Sequence, residues 1–99
     1  MNIKLNNHYI NELLEYEKVQ NGLYIVATPI GNLGDITLRS LKILSCVDLI
    51  LCEDTRISKK LTNKYGIKTQ LKPFHKFNST NSIPLIIKKL QAGLSIAII

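Results

Sequence analysis

Tryptophan is absent from this sequence, only 6% of the residues are aromatic, and there are three prolines and two cysteines. Cys46 and Cys52 are too few for a disulfide framework and lack the spacing of a zinc site, so we expect no metal. Their apolar neighbours predict buried free thiols in a reducing cytoplasm. No apolar run approaches the roughly 20 residues of a membrane helix, so we expect a cytoplasmic protein without membrane contacts.

Acidic residues are also scarce, because 7 Asp and Glu face 13 Lys and Arg, which gives a net charge of +6. A basic balance favours an anionic partner such as nucleic acid. The lysines are scattered along the sequence, and the abundance of Lys, Ile and Asn is also typical of AT-rich coding. Charge alone therefore supports RNA binding only weakly.

The apolar pattern alternates between strand and helix after about residue 20. Short apolar runs predict strands near residues 23–28, 47–52, 70–74 and 94–99. Such alternation is typical of an α/β fold with an open, mainly parallel sheet and helices on both faces. Residues 1–20 differ in character and are interpreted as an N-terminal extension before a domain at 21–99.

Capping and spacing signals place three helices between these strands. The first begins after Thr37 as N-cap and points Leu38, Leu41 and Leu44 inward. The second covers residues 56–65 and ends at Gly66. The third is capped within residues 78–82, accepts a proline in its first turn and ends at a glycine. Its predicted buried residues are Ile83, Ile86, Ile87 and Leu90.

Residues 23–37 form the most informative segment. The sequence predicts a buried strand that breaks at Thr28, then a turn with two glycines, and a helix that begins near Thr37. This strand–turn–helix order is how α/β proteins bind cofactors at the carboxyl ends of their strands. The turn matches neither G-x-G-x-x-G nor G-x-x-x-x-G-K-[ST], so the common nucleotide fingerprints fail.

Three segments carry a resemblance to a known family. Residues 28–37 read Thr-Pro-Ile-Gly-Asn-Leu-Gly-Asp-Ile-Thr, residues 47–56 end in Glu-Asp-Thr-Arg, and residues 71–78 end in His-Lys-Phe-Asn. In this order they resemble the ribosomal RNA small-subunit methyltransferase I family, which has the tetrapyrrole methylase fold. The third segment departs from the family pattern, since Phe77 stands in place of a second histidine and Ser79 in place of an acid.

The resemblance implies S-adenosylmethionine-dependent 2′-O-methylation of a cytidine ribose in small-subunit ribosomal RNA, usually by a homodimer. It implies catalytic roles for Glu53 and His75 and RNA contacts for Arg39 and Arg56, the only arginines. The donor would be held by the turn after the first strand, at Pro29, Ile30, Gly31 and Asn32.

Each of these residues also has a purely structural interpretation. The turn after the first strand is also an ordinary connection, Asp54 or Thr55 is a good helix cap, and a lone histidine is more often structural than catalytic. Two other functions stay open: a tetrapyrrole C-methylase and a non-catalytic RNA-binding module. The former enzymes usually have a Gly-x-Gly-Pro-Gly-Asp turn and lack Glu-Asp-Thr-Arg. Because the last six residues form an apolar strand pattern, we expect an N-terminal fragment that is inactive alone.

Overall fold

A computed structural model describes residues 19–99, within which four strands form one parallel sheet. The extension predicted at residues 1–20 lies almost wholly outside these residues. The elements are β1 (Gly22–Ile25), a 3₁₀ turn (Leu33–Asp35), α1 (Leu38–Cys46), β2 (Leu49–Cys52), α2 (Thr55–Tyr65), β3 (Leu71–Pro73), α3 (Ser79–Gln91) and β4 (Ser95–Ile98). The predicted order of strands and helices is therefore confirmed, with each strand shorter than its apolar run.

The strand order is β1-β4-β2-β3, and every neighbouring pair is parallel. Crossovers between parallel strands are right-handed. The chain moves in one direction from β1 to β2 to β3, so α1 and α2 lie on one face. It returns from β3 to β4, so α3 lies on the other face. The predicted fold class is confirmed.

The core has one part on each side of the sheet. Leu41 and Leu44 of α1 and Leu61 of α2 pack with Ile50 and Ala97 of the sheet. On the other face, the α3 side chains pack against the alternate strand residues Leu49, Leu51 and Ile96. This division explains why all four residues of β2 are buried.

The helix ends follow their predicted chemistry. Thr37 Oγ1 accepts a hydrogen bond from the Ser40 amide at 3.0 Å and so caps α1. Gly66 ends α2 with φ of +67°, a left-handed conformation that favours glycine. We expected Pro84 in the first turn of α3. Because α3 begins at Ser79, Pro84 lies in the second turn instead.

Three predicted core residues of the helices are exposed, and β1, which was predicted as a buried strand, is exposed on one side at Leu23 and Ile25. In α3 only Ile86 and Leu90 pack against the sheet, while Ile83 and Ile87 are 45% and 48% exposed. These two residues lie on the flank of the helix, beyond the line of contact with β2 and β4. Leu38, in the first turn of α1, is also exposed, although Leu41 and Leu44 are buried as predicted.

The two cysteines are free thiols, as predicted. Cys52 is buried in β2, and Cys46 is half-buried at the end of α1. Burial raises the pKa of the Cys46 thiol, and the nearby Lys42 ammonium opposes that shift. Among the helices of residues 19–99, none combines the length and the apolar character needed to cross a bilayer.

Candidate functional site at the carboxyl edge of the sheet

An open cleft of about 1030 Å³ lies outside the carboxyl ends of β2 and β3. Its position follows from the topology. The chain leaves β2 toward one face of the sheet, through α2, and leaves β3 toward the other, through α3. Diverging connections open a crevice between neighbouring strand ends, which is where α/β proteins bind their ligands.

The cleft brings together the ends of three predicted segments. It is lined by Thr28, Glu53, Asp54, Thr55, Arg56, Ile57, Ser58, Pro73, Phe74, His75, Lys76, Phe77 and Ile99. Glu53, His75 and Arg56 were singled out from the sequence, and all three line this one cleft. Thr28, Asp54, Thr55 and Phe77 belong to the same motifs, whereas the presence of the other lining residues depends on strand order, which the sequence does not reveal.

Asp54 and Arg56 form the start of α2. Asp54 Oδ1 accepts a hydrogen bond from the Arg56 amide at 2.9 Å, which caps the helix as the structural interpretation proposed. The Arg56 guanidinium also lies 3.4 Å from Asp54 Oδ2. Hydrogen bonds from the side chain and backbone of Arg56 hold the pKa of the Asp54 carboxyl below its ordinary value.

The Arg56 side chain remains available to a ligand, because it is 90% exposed. An exposed ion pair of this kind contributes little stability. Its guanidinium fork is suited to a phosphate or a carboxylate.

Glu53 follows β2 directly and is exposed. Within residues 19–99, no hydrogen bond or ion pair holds its carboxylate. Asp54 caps the N-terminus of α2, so the Glu53 carboxylate is not needed as a cap and is available to the cleft.

His75 lies in a tight turn between β3 and α3 that Asn78 holds in place. The Asn78 side chain accepts from the His75 amide at 2.8 Å and donates to the Pro73 carbonyl at 2.9 Å. It makes no cap to its own helix. Asn78 is thus a site residue whose role the sequence reasoning missed; its Asn type, common in such turns, is the only signal.

The same turn fixes the tautomer of His75. Its Nδ1 accepts a hydrogen bond from the Phe77 amide at 3.2 Å. A ring nitrogen that accepts from a backbone N–H carries no proton, so the neutral ring carries its proton on Nε2. His75 therefore presents a hydrogen-bond donor through Nε2.

Phe77 extends the cleft as an exposed aromatic wall, since it is 84% exposed. Its ring meets the His75 ring edge-to-face at a centroid distance of 6.0 Å, and Lys76 Nζ lies 5.1 Å from its centroid. An exposed aromatic with a nearby cation is suited to stacking on a nucleobase.

The predicted donor-binding turn starts at the cleft and then leaves it. Thr28 lines the cleft, whereas Pro29, Ile30, Gly31 and Asn32 do not. Ile30 is 98% exposed, and Gly31 has φ of +87°, which favours glycine. Asn32 accepts from the Gly34 amide at 2.9 Å and caps the 3₁₀ turn. Donor binding by these four residues stays a prediction.

Arg39, the second predicted RNA contact, lies apart from this cleft. It occupies the first turn of α1, is exposed and is absent from the cleft lining. Its RNA contact also stays a prediction. In the described part of the chain, no three His, Cys, Asp or Glu side chains come together as metal ligands would.

Comparison with known proteins relates this arrangement to a family. The family of Tetrapyrrole (Corrin/Porphyrin) Methylases matches residues 22–99. This chain belongs to the tetrapyrrole methylase family. The match begins at β1 and includes every strand and helix described above.

Similar proteins from several organisms are named ribosomal RNA small subunit methyltransferase I. The chain is 47% identical to that of Mesorhizobium japonicum over 82% of its own length and 28% of the relative. It is 51% identical to that of Mycoplasmopsis pulmonis and 53% identical to that of Thermotoga maritima, in each case over 78% of the chain and 35% of the relative. The predicted resemblance is confirmed, and the chain spans about a third of the length of these relatives.

Proposed function

We propose that this chain supplies part of the active site of a methyltransferase that modifies a cytidine ribose 2′-oxygen in small-subunit ribosomal RNA. The observation that supports this most is the convergence of Glu53, Arg56 and His75 in one cleft of a methylase-family domain. The names of the similar proteins support ribosomal RNA as the substrate. The resemblance further implies a homodimer, and light scattering of the purified protein would give its mass.

The cleft and the turn beside it fit S-adenosylmethionine as the methyl donor. A cleft of about 1030 Å³ has the size of small-molecule sites. Space is open above Gly31, where an added side chain would meet no atom within 4 Å, so a ligand can approach the backbone of the turn. When bound, the donor supplies an activated methyl group, whose transfer needs mainly positioning.

Glu53 is the proposed proton acceptor. Its carboxylate has no partner among residues 19–99 and lies at the strand end, where it can accept the proton of the ribose 2′-hydroxyl as the oxygen attacks. His75 is the proposed orienting group. Because Nδ1 is occupied by the Phe77 amide, it acts through the proton on Nε2, which can donate to a ribose or phosphate oxygen.

Arg56 is the proposed phosphate contact. Its fork is exposed at the rim of the cleft, and the Asp54 carboxylate orients it from one side only. A bidentate contact to a phosphate next to the target nucleotide would fix the ribose relative to Glu53.

Inactivation of the gene that encodes this chain tests the proposal. We expect one 2′-O-methylcytidine to disappear from small-subunit ribosomal RNA, as measured by mass spectrometry of nuclease fragments, and to return when the intact gene is restored. An unchanged modification pattern would contradict the proposal. A change in tetrapyrrole methylation instead would favour the C-methylase. RNA binding without any lost methylation would favour the non-catalytic module.

A further inference from the structure

Residues 56–76 contain cations and no carboxylate. Seven of the 13 Lys and Arg residues of the chain fall within these 21 positions. Besides Arg56 they are Lys59, Lys60, Lys64, Lys68, Lys72 and Lys76. The segment forms α2, the loop that follows and β3, which is the outermost strand of the sheet. The fold thus places this cation-rich segment at one edge of the sheet.

The cations of α2 occupy the side of the helix that faces water. Leu61 and Thr62 are buried, and the positions of Arg56, Lys60 and Lys64, four residues apart, follow one exposed row. Like charges at this spacing destabilise a helix, whereas an ordinary solvated helix surface mixes the two signs. Within residues 19–99, no carboxylate pairs with the six lysines.

A second cleft of about 670 Å³ lies between α2 and the segment that leads into β3. Lys59 and Lys68 line it from opposite sides. It shares Thr55, Arg56 and Pro73 with the first cleft, so the two clefts are neighbours and Arg56 borders both. A strand that runs along both clefts would have its charged backbone next to the lysines and one nucleotide next to Glu53.

We propose that this α2–β3 basic surface binds the phosphate backbone of the RNA strand whose target nucleotide enters the first cleft. The identity of the strand rests on the proposed function. Lysine ammonium groups bind phosphates as point charges without reading sequence, so this surface supplies affinity and the adjoining cleft supplies selection.

Binding to a single-stranded RNA oligonucleotide with a small-subunit ribosomal RNA sequence tests this surface. Fluorescence anisotropy is measured between 50 and 200 mM KCl (about the range in which such contacts weaken most) on the protein in the full length that its gene encodes. Lys59→Gln with Lys68→Gln removes two contacts, so we expect Kd to rise about tenfold. The slope of log K against log salt should become shallower by about 1.4, since each phosphate contact on a single strand contributes about 0.7.

The matched control is Lys88→Gln with Lys89→Gln, which removes the same charge from the last turn of α3. We expect less than about a twofold change in Kd and an unchanged slope for this pair. Equal effects of the two pairs would overturn the proposal. So would wild-type binding to anionic vesicles without binding to the RNA. Should circular dichroism show that the first pair fails to fold, Lys60→Gln with Lys64→Gln on the exposed side of α2 tests the same slope.

Failure of the proposed function and failure of the proposed RNA-binding surface are distinguished by two different experiments. If the gene is inactivated and no ribosomal RNA methylation disappears, the methyltransferase proposal fails. The salt slopes still decide whether the α2–β3 basic surface binds RNA.

Discussion

Asn78 illustrates how one side chain can hold a proposed site residue, His75, in place. It bridges the Pro73 carbonyl and the His75 amide on either side of the turn. This backbone turn also places the Phe77 amide against His75 Nδ1 and so fixes the ring proton on Nε2. Because the ring and its tautomer depend on this backbone geometry, Asn78 is a positioning residue for His75.

Asn78→Ala should therefore lower both stability and methylation. Loss of two hydrogen bonds should cost about 1–3 kcal/mol of unfolding free energy, measured by urea denaturation. The methylation rate of the folded variant should fall about tenfold because His75 is no longer held. Asn78→Asp keeps the acceptor for the His75 amide and should retain an intermediate rate.

Asn81→Ala, at an exposed position of α3, is the matched control. We expect its stability and rate to stay close to those of the wild type. If Asn78→Ala and Asn81→Ala behave alike, Asn78 has no positioning role.

At the scale of the element, α3 shows the limit of periodicity as a guide to burial. Four isoleucine and leucine positions follow a helical stripe, but only Ile86 and Leu90 reach the sheet. The apolar stripe is wider than the part of the sheet that α3 covers. Leu23 and Ile25 of β1 lie on the face of the sheet that α3 packs against, and they are exposed too.

Matched alanine substitutions in α3 test this assignment. Ile86→Ala removes a side chain that packs against the sheet and should lower the unfolding free energy by about 1–2 kcal/mol. Ile83→Ala removes an exposed side chain and should change it by about 0.5 kcal/mol or less. Both values come from urea denaturation of the purified protein, and a larger loss for Ile83→Ala would place that side chain in a packed environment.

In the whole molecule, local sequence signals predict the strands and helices, whereas the order of the strands in the sheet determines where the candidate site lies. Thr37 and Gly66 could be recognised as helix ends because their chemistry is local. The edge position of β3 and the adjacency of β2 and β3 depend on contacts far apart in sequence, which no local pattern specifies. This is why the motifs predicted Glu53, Arg56 and His75, whereas the roles of Asn78 and of the α2–β3 basic surface emerged only from the fold.

We propose that methyl transfer takes place in the cleft outside β2 and β3. The Glu53→Gln variant tests it most directly, through the initial rate of labelled methyl transfer to small-subunit particles from the gene-inactivated strain. The protein is used in the full length that its gene encodes, and Glu17→Gln, in the predicted N-terminal extension, is the matched control. For Glu53→Gln we predict a rate that is lower by a factor of about 100 or more, and for Glu17→Gln we predict an unchanged rate. A wild-type rate for Glu53→Gln would contradict the account.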